Sequence, residues 1–277
     1  MTETQIAEFR QTIYKNYAAA ARSFAWRTTH DPYAILVSEM MLQQTQTVRV
    51  VPKYEEWLAA YPDCSSLAHA PLEDVLRHWS GLGYNRRAVY LQKACRAVCD
   101  TYGGSFPREP EKLEQLPGIG PYTARAVSTF AFNIPNVFIE TNIRSVYIFF
   151  FFKDSAEKVP DSRLIPFVQE TMDRDNPREW YYALMDYGAE LKKKTVNPSR
   201  KSASYVRQSR FEGSLRQARG AILRMLTKYG AQSLESIGRQ EQIEPERLYK
   251  AAEGLEKESL ICRTAEGVYK IIGSTRM

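Results

Sequence analysis

Between residues 5 and 191, apolar side chains recur at steps of three and four, in stretches at 5–20, 34–46, 50–60, 71–79, 86–102, 121–132, 141–152, 163–174 and 178–191. That spacing gathers one buried face on a helix, whereas a strand would scatter it over two. The chain is thereby restricted to helix packed on helix for most of its length. Pro and Gly fall in the intervals, at Pro32, Pro62, Pro71, Gly103, Gly104, Pro107, Pro110, Pro135, Pro160 and Pro177, where they end one helix before the next begins. No clear alternation precedes residue 258, where "SLICRTAEGVYKII" reads as strand, glycine turn, strand. No run approaches the roughly 18 apolar residues of a membrane span. "IFFFF" at 148–152 stops at Lys153 and reads as a buried helix end, and "MTETQIAEFRQ" has no basic-then-apolar leader. A cytoplasmic, nucleoid-associated location is expected, with no membrane partner.

The periodicity breaks at 192–213, "KKKTVNPSRKSASYVRQSRFEG". From there to residue 219, Lys192, Lys193, Lys194, Arg200, Lys201, Arg207, Arg210, Arg216 and Arg219 face a single acid, Glu212, while the whole chain carries a surplus of only +6. A basic stripe interleaved with Tyr205 and Phe211 suggests a polyanion partner, nucleic acid first. A solvated linker is the plainer reading, and composition leaves both open. Helices at 215–229 and 233–239, a third with Pro245 in its first turn, and the strand pair make a winged-helix-like module. Its candidate recognition helix, 244–257, sets Glu244, Glu246, Glu253 and Glu256 against Arg247, Lys250 and Lys257. That balance is poor for phosphate contact, so docking onto the rest of the chain is at least as good a reading. Cys64, Cys95, Cys99 and Cys262 form no CxxC pair and read as free, buried thiols.

Three stretches carry chemistry. In "LPGIGPYTARAV", 116–127, Gly118 and Gly120 permit a tight hairpin and Pro121 suits the first turn of the helix that follows. The free N–H groups of that helix, with Thr123 behind them, form an anion site that grips phosphate without reading sequence. In "VSEMMLQQTQTV", 37–48, a continuous helix would put Glu39, Gln43 and Gln46 on one face among Ile35, Leu36, Met40 and Leu42. Desolvation would raise the carboxyl of Glu39 and let it act as a general acid; an exposed Glu on an amphipathic helix is the commoner case. "GLGYNRRAVYL", 81–91, offers Leu82, a glycine turn, Tyr84 at its tip, then Arg86 and Arg87. Such a Tyr can wedge into a base stack while Arg holds phosphate.

These motifs resemble the helix-hairpin-helix DNA glycosylases of the endonuclease III superfamily. "WRTTHDPYAILVSEMMLQQTQTVRVVPKYEEW", "GLGYNRRA" and "LPGIGPYTARAV" resemble its MutY-type adenine glycosylases over roughly residues 5–191. The resemblance implies an all-α, two-domain fold with a small C-terminal winged-helix-like α+β module. Residues 1–24 and 134–191 would form the domain carrying Glu140, and 25–133 a six-helix barrel with the helix-hairpin-helix at 110–132. Residues 192–213 would be a basic loop and 214–277 the module. It implies a base flipped from double-stranded DNA carrying a mismatch or lesion, and a monomer acting in base excision repair. Glu39 matches the general acid, Glu140 the carboxylate that stabilises the oxocarbenium-like sugar, Asn142 its polar partner and Tyr122 the pocket tyrosine. Trp26 and Arg27 match the lining of the base pocket, and Gln44 and Tyr84 the duplex-filling wedge. Gln43, Thr45, Leu82, Arg86, Arg87, Gly118, Gly120, Thr123, Lys192, Lys193, Arg200 and Lys201 complete the expected DNA surface.

The chain departs from that family in several places. The family's usual Asp is Glu140 here, longer by about 1.5 Å; a plainer role is that Glu140 only caps the following helix, although Glu is a poor cap. Where lyase-type relatives carry a Schiff-base Lys, this chain has Tyr122, which implies a monofunctional glycosylase. The four iron–sulfur ligand positions fall on Lys192, Ser199, Ser202 and Gln208, so no cluster is expected, while the hairpin leaves room for a monovalent or divalent cation. The module is too small for the usual 8-oxoguanine-reading domain. Adenine is the expected base. Removal of thymine or uracil opposite guanine, and a DNA-binding protein without catalysis, are the other readings.

Overall fold

The computed structural model describes residues 1–208 and 210–274. Helices α1 (Glu3–Ala20), α2 (Ala25–Thr28), α3 (Pro32–Leu42), α4 (Thr47–Ala60), α5 (Cys64–His69), α6 (Leu72–Trp79) and α7 (Arg86–Tyr102) are followed by α8 (Pro110–Leu113) and α9 (Pro121–Phe132). Then come α10 (Thr141–Phe151), α11 (Asp161–Thr171), α12 (Pro177–Lys194), a 3₁₀ turn at Pro198–Lys201, α13 (Leu215–Tyr229), α14 (Leu234–Glu241) and α15 (Pro245–Lys257). Strands β1 (Ile261–Arg263) and β2 (Tyr269–Ile271) pair antiparallel with Ile261 opposite Ile271. The all-helical expectation and the late hairpin both hold. None of the described helices is long and apolar enough to cross a membrane.

The ends of these helices follow from local chemistry. Thr2 and Gln5 form a capping box on α1, Asp63 and Ser66 another on α5, and Ser214 and Ser233 cap α13 and α14. Pro opens α8, α9, α12 and α15, where its missing N–H costs nothing. The expected helix 34–46 stops at Leu42, and Gln44 beyond it takes a left-handed φ of 54°. Gln43 and Gln46 therefore do not extend the face that carries Glu39; Gln46 instead stands as N-cap residue of α4.

The chain divides into two compact units: Met1–Ile35 with Arg108–Glu114 and Gly120–Arg207, and Leu36–Pro107 with Gln115–Ile119 and Gln208–Met277. In the first, Phe9 of α1 packs edge-on against Trp180 of α12 (5.9 Å) and Phe150 of α10 (5.0 Å). At Gly188 of α12 a Cβ would lie 2.3 Å from the Asn142 carbonyl oxygen, so glycine alone permits this approach of α10 and α12. In the second unit, Trp57 and Trp79 pack edge to face at 5.3 Å. Gln92 of α7 donates to the carbonyls of Leu67 within α5 and Ala70 just after it. The C-terminal module does not stand apart from this unit. Leu76 of α6 is part of one core with Ile222, Leu226, Leu248, Leu255 and Ile261, and Leu72 and Val89 pack against it. The seam runs through α13, which packs on α6, while α15 packs within the module on α13, α14 and β1.

Candidate active site

Glu140 is the N-cap of α10. Its Oε1 accepts from the backbone N–H of Asn142 (2.6 Å) and Ile143 (2.9 Å), and its Oε2 accepts from Asn142 Nδ2 (3.2 Å). The capping role is therefore real, and it holds the carboxylate rigidly at the positive end of a helix. Lys192, at the end of α12, donates from Nζ to Asn142 Oδ1 at 2.9 Å. Burial pushes the Glu140 carboxyl up; the two backbone N–H groups, the Lys192 ammonium and the Arg144 guanidinium offset part of that rise. Burial correspondingly lowers Lys192, with the Glu140 charge acting in the opposite sense. Arg144 is itself paired with Asp161 at 2.6 Å.

Tyr122 sits in the first turn of α9, edge-on to Phe138 at 5.7 Å, and Phe138 in turn stacks on Tyr181 at 3.9 Å. Thr123 is buried, with 3% of its surface exposed. The hairpin before α9 turns at Gly118, with φ of 77° and no room for a side chain: a Cβ would lie 2.4 Å from Tyr90 Cβ. Gly120, by contrast, has an ordinary φ of −91° and open space around it, so the turn does not depend on it as the motif suggested. Trp26 stacks on Phe24 at 4.7 Å. Arg27 bonds Asp186 through both terminal nitrogens (2.9 and 2.8 Å) and lies 4.6 Å from the centre of the Tyr182 ring. Burial alone would raise Asp186, but hydrogen bonds from Arg27 and the Arg22 N–H outweigh it and hold the carboxyl below the usual range. Asp186 and Gly188 were not singled out from sequence.

In the second unit, Glu39 lies on α3 with 7% of its surface exposed, among Val37, Ser38, Met40 and Met41, all buried. Gln44 and Tyr84, the two expected wedge residues, both hold left-handed backbones, with φ of 54° and 47°. Non-glycine residues in this region are strained, and such strain gathers at functional sites. Arg87 requires a correction. Its guanidinium is buried and donates to the carbonyls of Met40 (2.7 Å), Met41 (2.9 Å) and Gln43 (2.8 Å) at the end of α3. It also donates to Thr45 Oγ1 (3.2 Å) and to the carbonyls of Leu82 (3.0 Å) and Gly83 (2.9 Å). Arg87 thus caps α3 and ties the 43–45 loop to the 82–84 loop, so it is not presented to a phosphate. Leu82 is likewise buried, whereas Arg86 is exposed.

Lys193, Arg200 and Lys201 are exposed in the first unit. The segment after Lys192 folds as the 3₁₀ turn capped by Asn197 and tied to Val159, whose N–H reaches the Lys201 carbonyl at 2.8 Å. Ser199 and Ser202 are buried within it. Lys192, Ser199, Ser202 and Gln208 offer no thiolate, and no group of three or more metal-binding side chains is found among the described residues. These residues do not fit a four-cysteine cluster.

The profile of the HhH-GPD superfamily of base excision DNA repair proteins matches residues 37–166. The "Adenine DNA glycosylase" of Mycolicibacterium smegmatis is 31% identical over 283 residues, covering 93% of this chain and 94% of that protein. The likeness therefore reaches past residue 191 into the C-terminal module. The adenine DNA glycosylase of Buchnera aphidicola subsp. Baizongia pistaciae is 32% identical over 65% of this chain. The chain spans 52% of the length of that relative, 38% of the mouse one and 36% of the human one. Among solved structures, a thermostable thymine-DNA glycosylase superposes with a TM-score of 0.64 at 27% identity, covering 72% of this chain and 93% of its own. With motifs, fold and full-length likeness in agreement, this chain belongs to the HhH-GPD superfamily of base excision DNA repair proteins, within the adenine DNA glycosylase family.

Proposed function

We propose that this chain is a monofunctional DNA glycosylase that hydrolyses the N-glycosidic bond of a mispaired adenine in double-stranded DNA. The observation that carries the reading is Glu140, a carboxylate fixed by three N–H groups at a helix N-terminus with an ammonium close by. A negative charge held this way stabilises a cationic sugar and can orient the attacking water. Glu39, buried among apolar side chains, would deliver the proton that lets the base leave neutral. Asn142 orients the carboxylate, and by resemblance Tyr122, Trp26 and Arg27 would line the base pocket. With Tyr122 where lyase-type relatives carry an amine, no strand cleavage is expected. The reading is clusterless: the segment 192–203 takes the place of the cluster loop, with Lys193 and Arg200 available to phosphate, while Lys201 donates to the carbonyls of Lys153 and Ser155.

A second reading, removal of thymine or uracil opposite guanine, is favoured by the likeness to a thymine-DNA glycosylase. One assay separates them. Duplexes carrying adenine opposite guanine, cytosine or 8-oxoguanine, and thymine or uracil opposite guanine, are incubated with the protein and then heated in alkali. Adenine duplexes should break, and Glu39→Gln and Glu140→Gln should lose more than about a hundredfold in rate while still binding. Tight binding by the wild type with no breaks in any duplex would leave a DNA-binding protein without catalysis. Full activity in Glu140→Gln would remove that carboxylate from the mechanism.

A further inference from the structure

In the second unit α5 packs along α7. Gln92 holds the two together, as does Arg96, whose Nε donates to the Ala68 carbonyl at 2.6 Å. Three of the four cysteines lie on these helices. Cys64 opens α5, while Cys95 and Cys99 stand one turn apart on α7 and share a face. The Cys64 thiol donates to the Cys95 carbonyl at 3.5 Å, and the Cys99 thiol is hydrogen-bonded to Cys64 in turn. All four cysteines are free thiols.

The members of this cluster differ in access. Cys95 is fully enclosed and Cys64 is buried, whereas Cys99 is half-buried beside the exposed Asp100. A small oxidant arriving from solvent therefore meets Cys99 first, with the Cys64 thiol already against it. Burial pushes the Cys99 thiol up, and Cys64, Asp100 and Asp63 add to the rise. A thiol held protonated attacks slowly, so the pair answers sustained oxidation rather than a brief pulse.

We infer that Cys64 and Cys99 form a reversible dithiol–disulfide site that takes a peroxide as its oxidant, with Cys64 as the resolving thiol. The Cys99 sulfur attacks one peroxide oxygen; the O–O bond breaks, leaving a sulfenic acid and one water. The Cys64 sulfur then attacks the sulfenic sulfur. The S–S bond forms as the S–O bond breaks, and the departing hydroxide takes the Cys64 proton as a second water. Two electrons pass from the sulfurs to the peroxide, and an added dithiol returns them. Without Cys64, further peroxide carries Cys99 to the sulfinic acid, which a dithiol does not reverse. That acid would set a permanent negative charge beside Asp63 and Asp100 in the seam between α5 and α7.

The test treats the full chain with hydrogen peroxide, blocks remaining thiols by alkylation and maps the tryptic peptides without reduction. Arg96 lies between Cys95 and Cys99, so trypsin puts them on separate peptides. A bridge joining the Cys64 and Cys99 peptides, lighter than the free pair by two hydrogens, is expected, and dithiothreitol should restore both thiols. Cys95→Ser should keep the bridge. Cys64→Ser should accumulate sulfinic acid on Cys99 and, after dithiothreitol, melt about 5 °C lower than before oxidation, while the wild type recovers. The wild-type map decides the matter whether or not Cys64→Ser folds. A bridge between another pair, or Cys99 over-oxidised in the wild type without a bridge, would overturn the inference. So would four free thiols under oxidation that converts methionine to its sulfoxide.

Discussion

Lys192 holds Asn142 by its amide oxygen at 2.9 Å, and the same amide donates to Glu140 at 3.2 Å. A positive charge therefore stands one residue away from the carboxylate assigned to the sugar. The proposed mechanism needs that carboxylate ionised. Burial raises its pKa, and Lys192 lowers it again, so activity should fall as pH falls through a value above that of an ordinary Glu. Lys192→Gln removes the opposing charge. Its acid limb of kcat should move to higher pH, while Lys192→Arg keeps the wild-type profile. A Gln variant whose pH profile overlays the wild type would show that Lys192 does not act through Glu140.

Arg87 has a different kind of consequence. Because it serves six oxygen atoms of the protein, Arg87→Ala should leave buried carbonyls without a donor and cost about 3 kcal/mol or more. The loops bearing Gln44 and Tyr84 would lose their common anchor. Thermal melting should show a large loss, and Arg87→Lys should rescue little, since an ammonium cannot reproduce the fork. The salt slope of DNA binding should stay the same in whatever fraction folds. A slope reduced by one, with unchanged melting, would return Arg87 to the phosphate surface.

How much of this was legible beforehand depends on the range of the interaction. Helix positions, the hairpin turn at Gly118 and the terminal strand pair follow from spacing and from local backbone preference, and they were readable. The helix end at Leu42 was not. Its cause is Arg87, far along the chain, and nothing in "MMLQQTQ" announces a distant guanidinium capping those carbonyls. The same holds for Lys192, which read as one of three consecutive lysines on a basic stretch. Only the approach of α12 to α10 at Gly188 separates it from Lys193 and Lys194. Glu140 was legible as a candidate helix cap, which the structure shows, and its catalytic role by resemblance is the one proposed above. Arg27 was assigned to a base pocket by motif, while its partner Asp186 was invisible because the pair is distant in sequence.

The two glycines of the hairpin should behave differently. Gly118→Ala forces a left-handed alanine, costing about 1–2 kcal/mol, and drives Cβ into Tyr90, where it would lie at 2.4 Å. Melting should fall by about 5 °C or more. Gly120→Ala meets neither obstacle, so its melting temperature should match the wild type within about 1 °C. Equal losses at both positions would mean that the turn has another geometry.

Asp186 offers the sharpest test of stability. Its carboxylate takes Arg22 Nε at 2.6 Å, the Arg22 N–H at 2.8 Å, and both terminal nitrogens of Arg27, with only 3% of its side chain exposed. Removing one partner of a buried pair strands the other, so Asp186→Ala should cost about 3–5 kcal/mol. The pH dependence has a defined sign. The folded state holds this carboxyl below its unfolded value, so its contribution is complete above the unfolded value and fades as pH falls through the folded one. The gap in melting temperature between wild type and Asp186→Ala should therefore be flat from pH 6 to 8, within about 1 °C, and narrow on acidification. A gap that widens in acid would mean that Asp186 is not held as an anion by these arginines.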